Sequence, residues 1–413
     1  METRTPARRV AMLLHGYYAG DGRVRREAES LASAGYQVDV VCLRRPPRPG
    51  ERPEPRREIM PGGVRVYRLP LSRKRAGQFR YFFEYGALTV MGAWKLLALH
   101  LRNHYDTVHV HNMPDILVLA GIIPKWSGAS LVLDVHDPMV ELYRSTHPGK
   151  KSELVPKILR WQESFSYGLA DRVVSVSDTM RENLQDKGVP PDKIFILHNF
   201  PDDRYFPRIH EGEMAPWPRQ AGELKLLYSG TVTDHYRLDT AVRAVALAAK
   251  SIPGLKLQIL GGGNRLEDVR SLVQRLGIED RVEFLGTVRI EQVREVMCRA
   301  DVGISTHQAG VFGELYFATK VIEFLTQGLP VICSRTRTIE RYFPDDAIFY
   351  FRPDDPEDMA RQILLLWQQP SLVRKKIASA QKVLPRYTWE GERNRFIDFY
   401  GGLGDHRQTR AAS

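Results

Sequence analysis

The chain has 413 residues, which is too long for one ordinary hydrophobic core and predicts two domains. Apolar residues make up 43% and charged residues 26%, a balance typical of soluble globular proteins. The net charge of +11 favours anionic partners, but no recognition module for DNA or RNA is evident, so we expect no nucleic acid among them.

Cysteine usage and the first residues favour the cytoplasm. Cys42, Cys298 and Cys333 are widely spaced in apolar segments, a pattern of buried thiols in a reducing compartment and not of a disulfide frame or a zinc site. The N-terminal METRTPARRV leads into a short strand-like segment and does not look like a signal peptide. We predict a cytoplasmic protein without a metal site.

The first half of the chain alternates between strand and helix patterns. Strands are predicted at Val10–His15, Val38–Leu43, Val64–Leu69, Val108–His111, Leu131–Val135, Val173–Val176 and Ile194–Leu197, and helices at Arg23–Ala34, Asp115–Trp126, Leu154–Leu169 and Thr179–Lys187.

Arginine and lysine crowd residues 44–80, and such a segment attracts anions, a membrane surface among them. A solvated loop is the alternative. The apolar stretch Tyr81–Leu101 that follows is interrupted by Glu84 and Lys95, so it is too short to span a bilayer. We predict a long helix buried in the domain, with an interfacial position for Phe79, Phe82, Phe83 and Trp94 as the alternative.

The second half repeats the alternation after a segment rich in proline and charge at residues 201–222, which we predict to be a linker. Predicted domains are therefore residues 1–200 and 223–385, followed at 386–413 by a helix that packs back on the first domain and a tail. The second domain has predicted strands at Leu224–Tyr228, Leu257–Leu260, Val282–Leu285, Val302–Ser305, Val331–Cys333 and Ile348–Phe351, and its helices include Leu238–Ala249, Leu266–Leu276, Glu291–Arg299 and Pro356–Gln368.

Continuous apolar strands between helices indicate parallel sheets covered on both faces. The predicted fold class is α/β, with two doubly wound, Rossmann-like parallel-sheet domains. Because ligands of such sheets bind beyond the carboxyl ends of the strands, we expect a cleft where the two domains face each other.

In the first half, two strand ends carry groups that can meet a ligand. Gly16 and Tyr17 begin a glycine-rich turn where backbone can approach closely, and Asp21 can cap the next helix. The glycine spacing is not the dinucleotide fingerprint, so a nicotinamide enzyme is not expected. His136 ends the strand LVLDV and can donate to a sugar hydroxyl or a phosphate oxygen. The alternatives are a plain turn and a structural histidine.

The most informative stretch of the second half is ATKVIEFLTQGLPVI, residues 318–332. Lys320 and Glu323 lie three apart on one helix face, next to Thr319 at its start. A cation and a carboxylate beside a helix N-terminus can hold the phosphates and a ribose hydroxyl pair of a nucleotide. A surface ion pair is the alternative.

Other strand ends of this half add nucleotide or anion contacts. Arg237 precedes a helix, where the macrodipole disfavours a cation unless it meets an anion, so we predict that it binds phosphate. Loops with close backbone approach complete the predicted binding residues: Gly230, Thr231, Gly262, Gly263, Thr287 and Val288.

Segments in both halves resemble one known family, and they occur in its order. These are DGRVRREAESLASAGYQVDVV, HVHNMPD, DVHD and ADRVVSVSD in the first half, and YSGT, LQILGGG, VEFLGTV, RADVGIST, TKVIEFLTQGLPVI and YTWE in the second. With them the chain resembles the family 4 glycosyltransferases, which have the GT-B fold. The resemblance covers nearly the whole chain.

The resemblance implies transfer of a sugar from a nucleotide donor, a UDP- or GDP-sugar, with retention at the anomeric carbon and with no obligatory metal or other cofactor. By match, Glu323 holds the donor ribose, and Lys320 and Arg237 neutralise the diphosphate. Gly16 and its loop approach the diphosphate from the other domain, and His136 contacts the transferred sugar.

Two departures from the family pattern leave the sugar open. Leu315 stands where many members have Glu, with Glu314 one residue early, and Thr231 stands where many have Arg. A catalytically silent glycosyltransferase-like subunit is therefore one alternative. A nucleotide-sugar epimerase that uses Asp137, Glu141 or Glu314 is another.

The basic, aromatic-flanked first domain suggests an anionic or lipid-linked acceptor glycan, such as a surface polysaccharide on a lipid carrier. We accordingly predict a protein that is peripheral at the inner face of the membrane and has an anionic membrane surface as a partner. Charge reversal at Arg73, Lys74 and Arg75 tests this hypothesis.

Overall fold

The computed structural model describes residues 8–47, 50–72, 78–147, 149, 152–209 and 217–411, without the side chains of 78–82 and 404–411. Arg73, Lys74 and Arg75 lie outside the described residues. The chain divides into two compact units: unit 1 comprises residues 1–198 and 392–413, and unit 2 comprises residues 199–391.

Unit 1 contains an eight-stranded sheet with the strand order β3-β4-β2-β1-β5-β6-β7-β8. All neighbours are parallel except β3 and β4, an antiparallel pair at one edge. Its elements are β1 (Arg9–Leu13), α1 (Gly22–Ser33), β2 (Gln37–Leu43), β3 (Arg57–Ile59), β4 (Arg65–Leu69), α2 (Gln78–Asn103), β5 (Thr107–His111), a 3₁₀ helix (Asp115–Gly121), α3 (Ile122–Trp126), β6 (Ser130–Val135), α4 (Met139–Thr146), α5 (Leu154–Leu169), β7 (Arg172–Ser175), α6 (Asp178–Asp186) and β8 (Ile194–Ile196).

Unit 2 contains a six-stranded, fully parallel sheet with the order β11-β10-β9-β12-β13-β14. Its elements are β9 (Leu224–Ser229), α7 (Leu238–Ala248), β10 (Leu255–Leu260), α8 (Leu266–Leu276), β11 (Val282–Gly286), α9 (Ile290–Met297), β12 (Val302–Ser305), α10 (Val311–Leu315), α11 (Thr319–Thr326), β13 (Val331–Ser334), α12 (Arg337–Tyr342), β14 (Phe349–Phe351), α13 (Pro356–Gln368) and α14 (Pro370–Val383). The last helix of the chain is α15 (Trp389–Ala411).

Strands β12, β13 and β14 of unit 2 are buried at every residue because helices cover both faces of the sheet. Leu226 and Tyr228 of β9 belong to the core cluster that includes α7 and α13, whereas Leu227 between them belongs to the cluster that includes α9 and α11. Successive side chains of a strand point to opposite faces, so a continuous apolar run fills two cores. The predicted α/β class with two doubly wound parallel sheets is confirmed.

The long apolar helix α2 differs from the preferred prediction. One side is buried at Leu88, Leu96 and Leu99, but Phe83 is 76% exposed and Trp94 is 70% exposed. The prediction that this helix is buried is therefore wrong for its outer side. Within the described residues, no helix combines the length and the apolar content needed to cross a bilayer.

Candidate active site

The carboxyl ends of the unit 2 strands surround a cavity of about 370 Å³. Its walls include the loops that follow β9, β10, β11 and β12, with contributions from residues 228–231, 260–262, 287–288 and 304–307. Doubly wound sheets bind their ligands at this edge. Lys320 lines the cavity together with five of the predicted binding residues: Gly230, Thr231, Gly262, Thr287 and Val288.

The glycine triplet at residues 261–263 lets two loops of this wall approach each other. A Cβ on Gly261 would lie 1.8 Å from the carbonyl oxygen of Gly230, and one on Gly263 would lie 2.0 Å from that of Val232. Any side chain would force these backbones apart. Gly263 does not itself line the cavity, so the structure gives this predicted binding residue a supporting position in the wall.

Lys320 and Glu323 meet as their spacing predicts. They lie on α11, whose first turn is at the cavity, and Lys320 Nζ is 2.8 Å from Glu323 Oε2. The Lys320 side chain is 33% exposed but that of Glu323 only 7%, so the carboxylate lies beneath the ammonium group and does not line the cavity. Thr319 is turned away, because its hydroxyl donates to the carbonyl oxygen of Asn199 at 3.0 Å.

Aromatic side chains that the sequence did not identify form another part of the wall. Tyr236, His307 and Tyr316 line the cavity, and the tyrosine hydroxyls are 3.1 Å apart. His307 Nε2 is 2.9 Å from Ser305 Oγ, and burial lowers the pKa of His307 to about 3, so the ring is neutral. Lys320 is consequently the one charged side chain among the described residues that line this cavity. The available signal was the position of His307, two residues after the end of β12.

Arg237 is not among the residues that line the cavity, and its binding of phosphate stays a prediction. Its backbone is left-handed, with φ of +39°, and its guanidinium lies 3.1 Å from the carboxylates of both Asp239 and Asp354. The cation at the start of α7 is therefore balanced by carboxylates of the protein. Its hydrogen bond to Asp239 is the main cause that raises its pKa.

No acidic side chain lines the cavity in the part of the chain that the structure describes. Leu315 is buried, and Glu314 accepts from the backbone N–H of Arg337, at the start of α12. Glu141, in unit 1, is held by Lys187 at 2.8 Å. Two of the three acids considered for an epimerase are thus occupied elsewhere.

In unit 1, His136 follows β6 and is held on two sides. The side chain of Asn112 accepts from the His136 backbone N–H at 2.8 Å and donates to the Asp137 carbonyl oxygen at 2.8 Å. His136 Nε2 lies 2.8 Å from Asp134 Oδ2, and 21% of the imidazole remains exposed. Burial alone would lower the pKa of His136, but the charge and hydrogen bond of Asp134 outweigh it and raise that pKa.

Asp134 belongs to a buried polar cluster that also contains Arg23, Glu27, His109 and His111. The Arg23 guanidinium donates to both carboxylate oxygens of Asp134 at 3.0 Å and lies 2.9 Å from Glu27. Burial raises the pKa of Glu27 to about 8 and lowers that of His111 to about 3. Burial would also raise the pKa of Asp134, but Arg23 and His136 hold it well below its usual range.

Four members of this cluster, Glu27, His109, His111 and Asp134, are residue types that bind metals, and their ligand atoms lie within 4.8 Å of one another. Arg23 nevertheless contacts both carboxylates directly. A second cation would meet that charge in a low-dielectric interior. The cluster therefore suits a charge-balanced support for His136 better than a metal site.

Gly16 and Tyr17 follow β1, at the same edge of the sheet as His136, because the strands between them are all parallel. The Gly16 carbonyl oxygen accepts from Leu43 N at 2.9 Å. The predicted cap is confirmed, since Asp21 accepts from Val24 N at 3.1 Å. The approach of this turn to a diphosphate stays a prediction.

Family models account for most of the chain. Residues 22–199 match a "glycosyl transferase 4-like domain", and residues 211–383 match "glycosyl transferases group 1". The chain belongs to glycosyltransferase family 4. The resemblance inferred from its motifs is thereby confirmed.

Solved structures show that this glycosyltransferase has the GT-B fold. Sucrose-phosphate synthase from Thermosynechococcus elongatus is 19% identical, with a TM-score of 0.75 over 98% of this chain and 100% of that one. HepE from Anabaena, solved in complex with UDP-glucose, is 13% identical, with a TM-score of 0.67 over 95% of this chain and 99% of that one. At these identities the likeness concerns the fold alone.

Named relatives of this glycosyltransferase cover much of its length. A phosphatidylinositol N-acetylglucosaminyltransferase subunit from Arabidopsis thaliana is 23% identical over 87% of this chain and 74% of its own. D-inositol 3-phosphate glycosyltransferase of Mycobacteroides abscessus is 26% identical over 64% of this chain and 62% of its own.

Proposed function

We propose that this glycosyltransferase moves a sugar from a nucleotide-sugar donor to a hydroxyl group of a lipid-linked or polysaccharide acceptor, with retention of the anomeric configuration. The observation that carries the proposal is Lys320 at the start of α11, the one charged side chain among the described residues that line the cavity. A helix start and an ammonium group together favour an anion. The diphosphate of a nucleotide sugar supplies that anion.

The base and the ribose of the donor can be placed in the same cavity. The backbone at Thr287 and Val288 offers a surface for the base. Glu323 is proposed to bind the ribose hydroxyls once its present partner, Lys320 Nζ, turns to the diphosphate. The charge that develops on the leaving diphosphate would be stabilised by Lys320 and by the backbone dipoles of α11, so no metal is required.

For His136 we propose contact with the transferred sugar. Its backbone and ring are both fixed, and part of the imidazole is exposed at the strand edge that also carries Gly16. A group held in one geometry loses little freedom when it meets a substrate.

Acceptor and donor classes draw support from the named relatives. One of them acts on phosphatidylinositol and another on D-inositol 3-phosphate, so both named acceptors carry phosphate. HepE was solved with UDP-glucose. We accordingly propose a UDP-sugar donor, with a GDP-sugar as the second choice, and an acceptor that is anionic or lipid-linked.

A thermal-shift panel of UDP, GDP, ADP and their sugar conjugates tests the donor. A nucleotide at 100 times its dissociation constant stabilises the folded state by about 2.7 kcal/mol. The product anomer, read from the ¹H NMR coupling of its anomeric proton, then tests retention. An inverted product would overturn the retaining mechanism and leave the donor site standing.

Lys320 is tested by substitution. We expect Lys320→Ala to lower turnover at least tenfold, which corresponds to about 1.4 kcal/mol. Lys320→Gln keeps a hydrogen-bond donor for Glu323 and separates loss of charge from loss of packing. Lys250→Ala, which removes an exposed lysine just after α7, is the matched control. Unchanged kinetics in both Lys320 variants would remove this residue from the site.

A catalytically silent subunit is the second candidate function. It is favoured by the lack of an acidic side chain among the described residues of the cavity and by the short Thr231 in place of a cation. It predicts that no nucleotide in the panel shifts the melting temperature.

A further inference from the structure

The exposed apolar side chains of this protein are concentrated on three helices. Of fourteen large hydrophobic side chains that are exposed among the described residues, ten lie on α2, α3 and α5. All five exposed phenylalanines and tryptophans are among them. The ten are Phe83, Val90, Trp94, Leu101, Ile123, Trp126, Leu154, Ile158, Trp161 and Phe165.

These three helices lie on one side of the unit 1 sheet. The connections from β4 to β5, from β5 to β6 and from β6 to β7 all step across the sheet in the same direction. Because parallel crossovers are right-handed, helices of such connections lie on the same face. The 3₁₀ helix Asp115–Gly121 touches α2, α3 and α5, which confirms that they form one layer.

The outer side of α2 is apolar along most of its length. Its exposed positions from Phe83 to Leu101 are filled by Phe, Gly, Val, Trp, Ala and Leu, with no charged side chain. At 1.5 Å per residue this row is about 27 Å long. The opposite side of α2 packs closely on β1, because a Cβ on Gly92 would lie 3.1 Å from Leu13. The helix is therefore apolar on its exposed side as well as on its buried side.

The outer side of α5 repeats this pattern. Leu154, Ile158, Trp161 and Phe165 follow one another at helical spacing, and all are exposed. The rings of Trp161 and Phe165 stack with centroids 5.5 Å apart. Trp126, at the end of α3, is 76% exposed. An apolar surface of this extent is uncommon in a monomer and marks a site of interaction.

Exposed basic side chains on the same helices exceed the acidic ones. Arg102 lies in the last turn of α2, and Lys157 and Arg160 lie on α5. The carboxylate of Glu153, just before α5, forms ion pairs with Arg144 of α4 at 2.9 Å and with Arg160 at 3.2 Å. Two copies of a positively charged face would repel each other, whereas anionic lipid headgroups attract it.

We propose that the face formed by α2, α3 and α5, here called the aromatic face, docks unit 1 on an anionic lipid surface. Tryptophan and phenylalanine would enter the boundary between headgroups and acyl chains, where amphipathic rings are favoured. Arginine and lysine beside them would reach the lipid phosphates. The aromatic face is also where the protein would meet a lipid-linked acceptor, and this part of the proposal rests on the proposed function.

Vesicle binding measured without donor or acceptor keeps the two proposals separable. The full chain is sedimented with vesicles of phosphatidylglycerol and phosphatidylcholine, and with phosphatidylcholine alone. We expect binding to the anionic vesicles and at least tenfold weaker binding for the double variant Trp94→Glu, Trp161→Glu. Lipids brominated in the acyl chain should quench the tryptophan fluorescence of the bound protein.

Ile59→Glu is the matched control, because Ile59 is 66% exposed in unit 1 but lies on edge strand β3, outside the aromatic face. It should bind vesicles like the unsubstituted protein, and circular dichroism should show both variants folded. Equal binding by the double variant and the control would overturn the proposal. So would binding without quenching, no binding at all, or a stable dimer in solution that the double variant abolishes.

Discussion

The environment of His136 depends on two residues that are themselves buried. Asn112 fixes the backbone on both sides of His136, and Asp134 holds its ring. Asp134 is in turn held by Arg23, which also donates to the carbonyl oxygen of Leu197 at 3.0 Å. The residues that position His136 therefore come from the ends of β5 and β6 and from the first turn of α1.

The substitution Asp134→Asn tests this support. Asp134 raises the pKa of His136, so its replacement should lower that pKa, which can be followed in an NMR titration of the histidine ring. Arg23 and Asp21 also act on the ring through their charges, and His111 Nδ1 lies 3.4 Å from its Nε2. In the unsubstituted protein, the stability that comes from protonated His136 is present at low pH and is lost as pH rises through its folded pKa.

The same substitution removes one of the two carboxylates in direct contact with the buried Arg23 guanidinium, and breaking a buried pair costs about 3–5 kcal/mol. Glu153→Gln removes an exposed carboxylate that also has arginine partners, and should leave stability nearly unchanged, because solvent screens exposed ion pairs. An unchanged His136 pKa in Asp134→Asn would show that Asp134 does not act through the ring.

Single residues also show how far sequence reasoning reaches. The pairing of Lys320 with Glu323 follows from helical spacing and is found in the structure. A cation at a helix start needs an anion, and sequence alone does not reveal that Asp354, far along the chain, lies beside Arg237. Phosphate binding by Arg237 stays a prediction. Tyr236, His307 and Tyr316 come together only through the fold, so no local pattern identifies their cluster.

At the scale of elements, the two sheets could be predicted from the sequence, but the side of a helix that faces solvent could not. Strands buried on both faces appear as short apolar runs between helical segments, and this pattern gave the fold class. Helix α2 carries apolar residues on both its buried and its exposed side, so its sequence does not reveal which side faces solvent. The short antiparallel strand β3 lies in the basic segment and carries no alternating apolar pattern.

The loop contact between residues 230–232 and 261–263 permits an element-scale prediction. Gly263→Ala places a methyl group where the carbonyl oxygen of Val232 lies, so one loop must move. We expect a loss of about 1–3 kcal/mol in the free energy of unfolding, as for other overpacked sites. Because the same loops line the cavity, nucleotide binding should weaken as well, which calorimetry can measure.

Gly20→Ala is the control for that substitution, since a Cβ at Gly20 would meet no atom within 4 Å. Its stability should stay within about 0.5 kcal/mol of the unsubstituted protein. If Gly263→Ala bound nucleotide with unchanged affinity, the shape of the cavity wall would not depend on the contact between the two loops.

At the scale of the whole molecule, unit 1 is assembled from two separate stretches of chain, because residues 392–413 belong to it. Phe396, Tyr400 and Leu403 of α15 are buried. The Tyr400 hydroxyl lies 2.6 Å from His109 Nδ1, and Glu392 accepts from His198 N at 3.0 Å. The end of the chain thus completes the interior that supports His136.

A chain that ends at Gly391 should therefore lose unit 1 and keep unit 2. Each large apolar side chain contributes about 1.5–3 kcal/mol on burial, so removal of three such side chains costs about 5–9 kcal/mol. That is comparable with the whole stability of a domain, about 5–15 kcal/mol. In hydrogen exchange, peptides of unit 1 should lose protection, while those of unit 2 keep theirs. Unit 2 should also keep the proposed response to nucleotide.

A chain that ends at Leu403 retains all three side chains and should behave like the full chain. If the chain that ends at Gly391 kept full protection in unit 1, residues 392–403 would contribute contacts that the remaining core of unit 1 does not need.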